Sequence, residues 1–151
     1  MKEAAEKYRQ ATEELLTLAQ SISTTGLDRR DEDGWSPRQV IHHLADSEAQ
    51  SYARLRRLIA EPGTMIQGYD ESIWAENSTL GYKSEPIESA LEVFAAVRKA
   101  SYELILRLTT TDLERFGEHS ESGRYSINDW LTNYINHPID HANQMRKQLR
   151  G

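Results

Sequence analysis

His137 and His141 stand four residues apart in the segment Asn136-His137-Pro138-Ile139-Asp140-His141. On a helix that spacing puts two imidazoles on adjacent turns of one face, about 6 Å apart along the axis, where both can converge on one cation. The same spacing also serves two half-exposed residues bonded to backbone or water. A zinc site needs three protein ligands plus water, or four. A third ligand has to come from elsewhere, and the chain offers His42, His43 and His119. It has no cysteine, which excludes thiolate ligands, disulfides and a protein-borne thiol nucleophile. Three neutral imidazoles would leave a divalent ion with open positions for water or a substrate atom. Imidazole suits zinc, nickel, iron or copper, so the ligand type does not name the metal.

The elements that must carry these residues read as helices. Ala4, Tyr8, Ala11, Leu15, Leu18 and Ile22 recur at steps of four and three and predict a first helix over 3–22. A second is expected over 37–60: Ser36 caps it, Pro37 suits its first turn, Gln39 completes a capping box, and Pro62-Gly63 ends it. A third is expected over 85–108, with Ser84 as cap. The last runs over 127–149, capped by Ser126 with Asp129 three residues on. Taking Ile127 as zero at about 100° per residue, its apolar stripe centres near 10°. His141 then lies about 50° and His137 about 90° to one side, on one shoulder of the stripe. Pro138 frees the Tyr134 carbonyl, so a kink near His137 is expected. On the second helix, periodicity leaves His42 and His43 open as the third ligand.

Residues 61–84 form a long connection in which 70–74 suit one or two helical turns, and connections of that length are often functional. A short turn is expected at 111–116. Gly117 to Tyr125 reads as a polar loop holding His119, a spare ligand, a proton shuttle or a surface residue. No strand alternation is evident. Four amphipathic helices predict an all-α four-helix bundle, one domain over 1–151, whose long crossover allows a topology other than up-and-down.

The net charge is −6, and no basic run exceeds the local cluster Arg54, Arg56 and Arg57, which argues against a nucleic-acid partner. No stretch approaches a membrane span and the first residues lack a signal core, so a cytoplasmic protein is expected. The Glu-x-x-His pairs of a di-iron bundle and the Gly-x-Ser-x-Gly elbow of serine hydrolases are both missing.

The segments Trp35-Ser36-Pro37 and Ile41-His42-His43-Leu44-Ala45-Asp46-Ser47-Glu48 resemble the first signature of the DinB/YfiT-like superfamily. Asn136-His137-Pro138-Ile139-Asp140-His141-Ala142-Asn143-Gln144-Met145 resembles the second, a His-x-x-x-His followed by Gln. The order, the separation and the four helices with a long second connection match over nearly the whole chain. The resemblance implies a bundle, often dimeric, so a homodimer is expected, with a metal site of His43, His137 and His141. It also implies a metal-dependent enzyme acting on a small molecule: a hydrolase, or a transferase that uses a low-molecular-weight thiol as cosubstrate. Zinc or nickel is the expected ion. The chain's lack of cysteine suits an external thiol. Asp46 and Glu48 could orient an imidazole or act as base, and Gln144 could contact a bound group. The Tyr69-Asp70-Glu71 stretch before Trp74 resembles a loop near the metal cleft, which makes Trp74 a candidate for ligand contact. The alternative is a non-catalytic metal-binding or stress-response bundle.

Overall fold

A computed structural model describes residues 1–30 and 34–150. Four long helices make up most of it: α1 (Lys2–Ser21), α2 (Pro37–Ala60), α4 (Glu88–Ile105) and α5 (Ile127–Arg150). Between α2 and α4 lie β1 (Met65–Ile66), the short helix α3 (Glu71–Glu76) and a 3₁₀ turn at Ser78–Leu80. A second 3₁₀ turn at Asp112–Glu114 and the hairpin β2 (Phe116–His119) and β3 (Gly123–Ser126) lead into α5.

The helix starts follow the capping chemistry expected from sequence. The Ser36 hydroxyl accepts from the Gln39 backbone N–H and the Gln39 side chain accepts from the Ser36 N–H, closing the box before Pro37. At α5 the Ser126 Oγ accepts from Asp129 N at 3.1 Å and Asp129 Oδ2 accepts from Ser126 N at 2.8 Å. The start of α4 departs from expectation. It begins at Glu88, after Ile87, which gives no side-chain cap; Ser84 does not cap it. Pro86 disfavours helical backbone at Glu85. The Glu85 carbonyl is instead taken by α2, accepting from Arg38 Nη1 at 3.0 Å and facing His42 Nε2 at 3.2 Å.

The main contacts between long helices are α1 with α4 and α5, and α2 with α4 and α5. Consecutive helices α1 and α2 are therefore diagonal, as are α4 and α5. The long crossover allows this by carrying the chain from α2 to its neighbour α4.

Two apolar clusters fill the bundle. One gathers Tyr8, Leu55, Ile105, Trp130 and Tyr134; the other gathers Leu15, Leu44, Phe94, Ala142 and Met145. Between the clusters each helix contributes polar side chains, beside the buried Ala11 and Pro138: Thr12 on α1, Ser47, Glu48 and Ser51 on α2, Arg98 and Ser101 on α4, His137 on α5. A polar layer thus crosses the core. Burial of a side chain as large as Trp130, fully enclosed and donating from Nε1 to the Ser51 carbonyl, stabilises the bundle by about 2–3 kcal/mol on one side of that layer.

The region 117–125, read as a loop, is instead a hairpin. It pairs antiparallel from Phe116 with Ser126 to His119 with Gly123, and β1 adds to β2 in parallel. The crossover is tied to it by Glu118 N donating to Thr64 O and Ser120 N donating to Ile66 O. Gly117 makes this approach possible: a Cβ there would stand 2.5 Å from the Thr64 carbonyl oxygen.

Candidate metal centre

Each histidine of the centre reaches it from a helix held by the features above. His43 lies two turns after the Ser36 cap and is fully buried, its ring 5.0 Å from that of Trp35. His137 and His141 share one side of α5. The helix runs through Pro138 without interruption. The Tyr134 carbonyl that Pro138 cannot satisfy accepts from Arg98 Nη1 at 2.9 Å.

The three side chains meet at their Nε2 atoms. His43 to His137 is 3.1 Å, His141 to His137 is 3.1 Å, and all three lie within 4.8 Å of one another. Ligands about 2.0–2.1 Å from zinc stand about 3.3 Å apart in tetrahedral geometry. The observed spacing is close to that. Each ring nitrogen has a single in-plane position for a proton or a lone pair. Three such positions converging on one space suit a cation better than mutual hydrogen bonds. His141 Nδ1–H donates to Gln144 Oε1 at 2.8 Å, which leaves the Nε2 lone pair facing the cluster. The Nδ1 atoms of His43 and His137 are buried without a hydrogen-bond partner among the described residues.

Electrostatics keeps the rings neutral, as metal ligands must be. Burial, followed by the charge of His141, pushes His43 down to about 3. Burial and the neighbouring His141 and His43 push His137 down to about 2. Burial lowers His141, with Gln144 and Asp140 opposing.

A cavity of about 520 Å³ opens against the cluster at His137. Its wall includes Ser47, Arg54, Tyr69, Glu71, His119 and Asn136. Glu71, the first residue of α3, reaches back so that Oε2 lies 3.9 Å from His43 Nε2. Its carboxyl is raised, first by burial and then by Glu121. Asp70 fixes α3 by accepting from Ile73 N at 2.9 Å.

Of the residues singled out in the sequence, His43, His137 and His141 are brought together, with Gln144 behind His141. His42 lies outside the cluster, stacked on Tyr82 with ring centroids 5.7 Å apart. Asp46 accepts from the Tyr82 hydroxyl at 2.6 Å and does not line the cavity. Glu48 is fully buried and paired with Arg98 Nη1 at 2.6 Å, inside the polar layer. Trp74 packs on Tyr69, centroids 4.6 Å apart, and supports the cavity wall from behind. His119 lies on β2 and lines the cavity without joining the cluster, and Asp140 lines its edge. The family resemblance sets the Tyr69-Asp70-Glu71 stretch near the cleft but gives Glu71 itself no role, and the sequence shows Arg54 only as part of a local basic cluster. One signal for Arg54 was present: Ser47 and Ser51 continue a polar line from His43 toward it along α2.

Residues 7–145 match the DinB superfamily. An Oceanobacillus iheyensis protein named "Putative metal-dependent hydrolase" is 43% identical over 72% of this chain, and the chain spans only 61% of that relative's length. A Bacillus mycoides protein of the same designation is 31% identical over 97% of this chain and 88% of its own. The fold is that of a solved Bacillus subtilis structure, YfiT, described as "a probable metal-dependent hydrolase with an unusual four-helix bundle topology". It superposes with a TM-score of 0.90 at 24% identity, over 99% of this chain and 85% of that one.

Proposed function

The chain belongs to the DinB superfamily, and we propose that it is a metal-dependent enzyme acting on a small molecule at the three-histidine centre. The observation that carries the reading is the convergence of three neutral Nε2 atoms beside a cavity large enough for a small organic molecule. A divalent ion, zinc or nickel being the expected ones, would supply Lewis acidity toward a substrate oxygen and make water or a thiol more acidic. His43, His137 and His141 would hold it, and Gln144 orients His141. Glu71 faces the centre from the cavity side and can take up at Oε2 the proton that a water or thiol gives up. Trp35 closes the far side of His43.

Two reactions use this arrangement: hydrolysis, with water as nucleophile, and transfer of a low-molecular-weight thiol to an electrophile. The chain's lack of cysteine supports an external thiol in the second. The test is to load the protein with zinc or nickel and assay ester, amide and alkyl-halide substrates with and without an added thiol. Metal-dependent turnover that requires the thiol supports transfer, and turnover without it supports hydrolysis. Glu71→Gln should lower kcat in either case. Metal binding with no turnover in any arm would favour a non-catalytic binding module.

A further inference from the structure

Two guanidinium groups reach the interior of this bundle, and they are treated differently. Arg98 is well provided for: Glu48 neutralises it and accepts from one of its five N–H donors, and Thr12 Oγ1, Tyr8 O and Tyr134 O accept from three more. Arg54 has no carboxylate within ion-pair distance among the described residues. It donates from Nη2 to Gln67 O at 2.8 Å and, at a weak 3.4 Å, from Nη1 to the Tyr134 hydroxyl. Its Nε is buried with no acceptor among the described residues. The Tyr69 hydroxyl, in the same cavity wall, is also buried; its one neighbour able to accept, among the described residues, is the Ser47 hydroxyl, which it does not meet in good hydrogen-bond geometry. Burial raises this phenol, so it stays an O–H donor at neutral pH.

The Arg54 Nε–H and the Tyr69 hydroxyl thus face one cavity; Glu71, Glu121 and Asp140 line it too, but among the described residues none of them comes within ion-pair distance of Arg54. Buried donors without acceptors are costly, and an arginine fork is suited to carboxylate and phosphate oxygens. The charge acts across the cavity: Arg54 lowers the pKa of His119 after burial has done so, and it opposes the rise at Glu71. The Tyr134 ring that receives Arg54 lies 6.1 Å from the His137 ring. The donors therefore sit about one aromatic ring away from the histidine centre.

We propose that Arg54 and Tyr69 form an anion seat, and that the cavity's ligand carries a carboxylate or phosphate group several bonds from the atom that meets the histidines. The identity of that ligand as a substrate rests on the reading given under Proposed function. The seat itself does not require a metal, so the two can fail separately.

The experiment is an NMR titration of the full, metal-free, ¹⁵N-labelled chain with acetate and, separately, inorganic phosphate, with sodium chloride as the ionic-strength control. The Arg54 Nε–H resonance, identified by its loss in Arg54→Gln, is expected to shift saturably in the millimolar range. Read on the backbone signals of Tyr69 and Tyr134, affinity should fall about tenfold or more in Arg54→Gln. Tyr69→Phe removes the second donor and should weaken binding by a smaller factor; it keeps the test alive if Arg54→Gln does not fold. The tighter of the two probes names the anionic group. A response no larger than that to chloride, or one unchanged in the folded variants, overturns the proposal. Metal uptake that persists while the anion response is missing would overturn the seat alone.

Discussion

Among the three clustered histidines, only His141 has a protein partner on its second ring nitrogen within the described residues, and that partner is Gln144. An imidazole whose tautomer is fixed in advance binds a cation without first reorganising. Gln144→Ala should therefore weaken metal binding about 10–100-fold, read by competition with a chromophoric chelator. Gln144→Glu retains the acceptor and should recover most of it; equal affinity in the alanine variant would remove the orienting role. The Arg98–Glu48 pair is structural and should behave so. Arg98→Met leaves the Glu48 carboxylate buried alone and the Tyr134 carbonyl without its donor. It should cost about 3–5 kcal/mol in denaturant unfolding. At this scale the sequence was informative where spacing alone decides, as for His137 and His141. It was silent where a neighbour decides. His42 and His43 differ by about 100° around α2; periodicity leaves the choice open, the family resemblance implies His43, and it is His43 that meets the helix packed opposite. Glu48 has a carboxylate's chemistry, but Arg98, fifty residues away, is what occupies it.

The helices were legible because caps and apolar periodicity are local. Ser36, Gln39, Pro37 and Ser126 place two helix starts by hydrogen bonds that span three residues. The start of α4 was not, because the Glu85 carbonyl is claimed by Arg38 from another helix. The small sheet was missed for a related reason. Its strands are two and four residues long, too short to show alternation, and the parallel pairing of β1 with β2 is long-range. This sheet ties down the crossover that delivers Glu71 and Tyr69 to the cavity. Gly117→Ala drives a methyl group against the Thr64 carbonyl. A loss of about 1–3 kcal/mol is expected, read as a lower melting temperature. An unchanged melting temperature would mean that the strands do not need this close approach.

Across the whole molecule, the bundle places a polar layer between two apolar cores and opens that layer on one side as a cavity. The diagonal placement of α1 and α2 sets α2 directly beside α5, so that His43 meets His137 and His141. Holding these rings neutral has a thermodynamic consequence. Their folded-state values lie below the ordinary 6.5, with His43 at about 3 and His137 at about 2. Between those values and 6.5 the unfolded chain binds more protons than the folded one. The metal-free protein should therefore be at full strength from these groups above about pH 7. It should lose up to about 1.4 kcal/mol per pH unit for each histidine as the pH falls below 6.5. Urea unfolding at several pH values measures this slope, and it should flatten in a His137→Gln/His141→Gln variant. An equal slope in that variant would mean that the acid sensitivity comes from other groups.

The central claim is that His43, His137 and His141 hold one divalent ion. The most direct measurement is metal stoichiometry on the purified, untagged chain, stripped with chelator and reloaded with zinc or nickel. It should be done alongside His43→Ala, His42→Ala and the His137→Ala/His141→Ala double variant, with helical content checked in each. About one equivalent per chain is predicted, retained in His42→Ala and lost in the other two while they stay helical. Stoichiometric metal in the double variant, or no uptake by the folded wild-type chain under any loading condition, would contradict it.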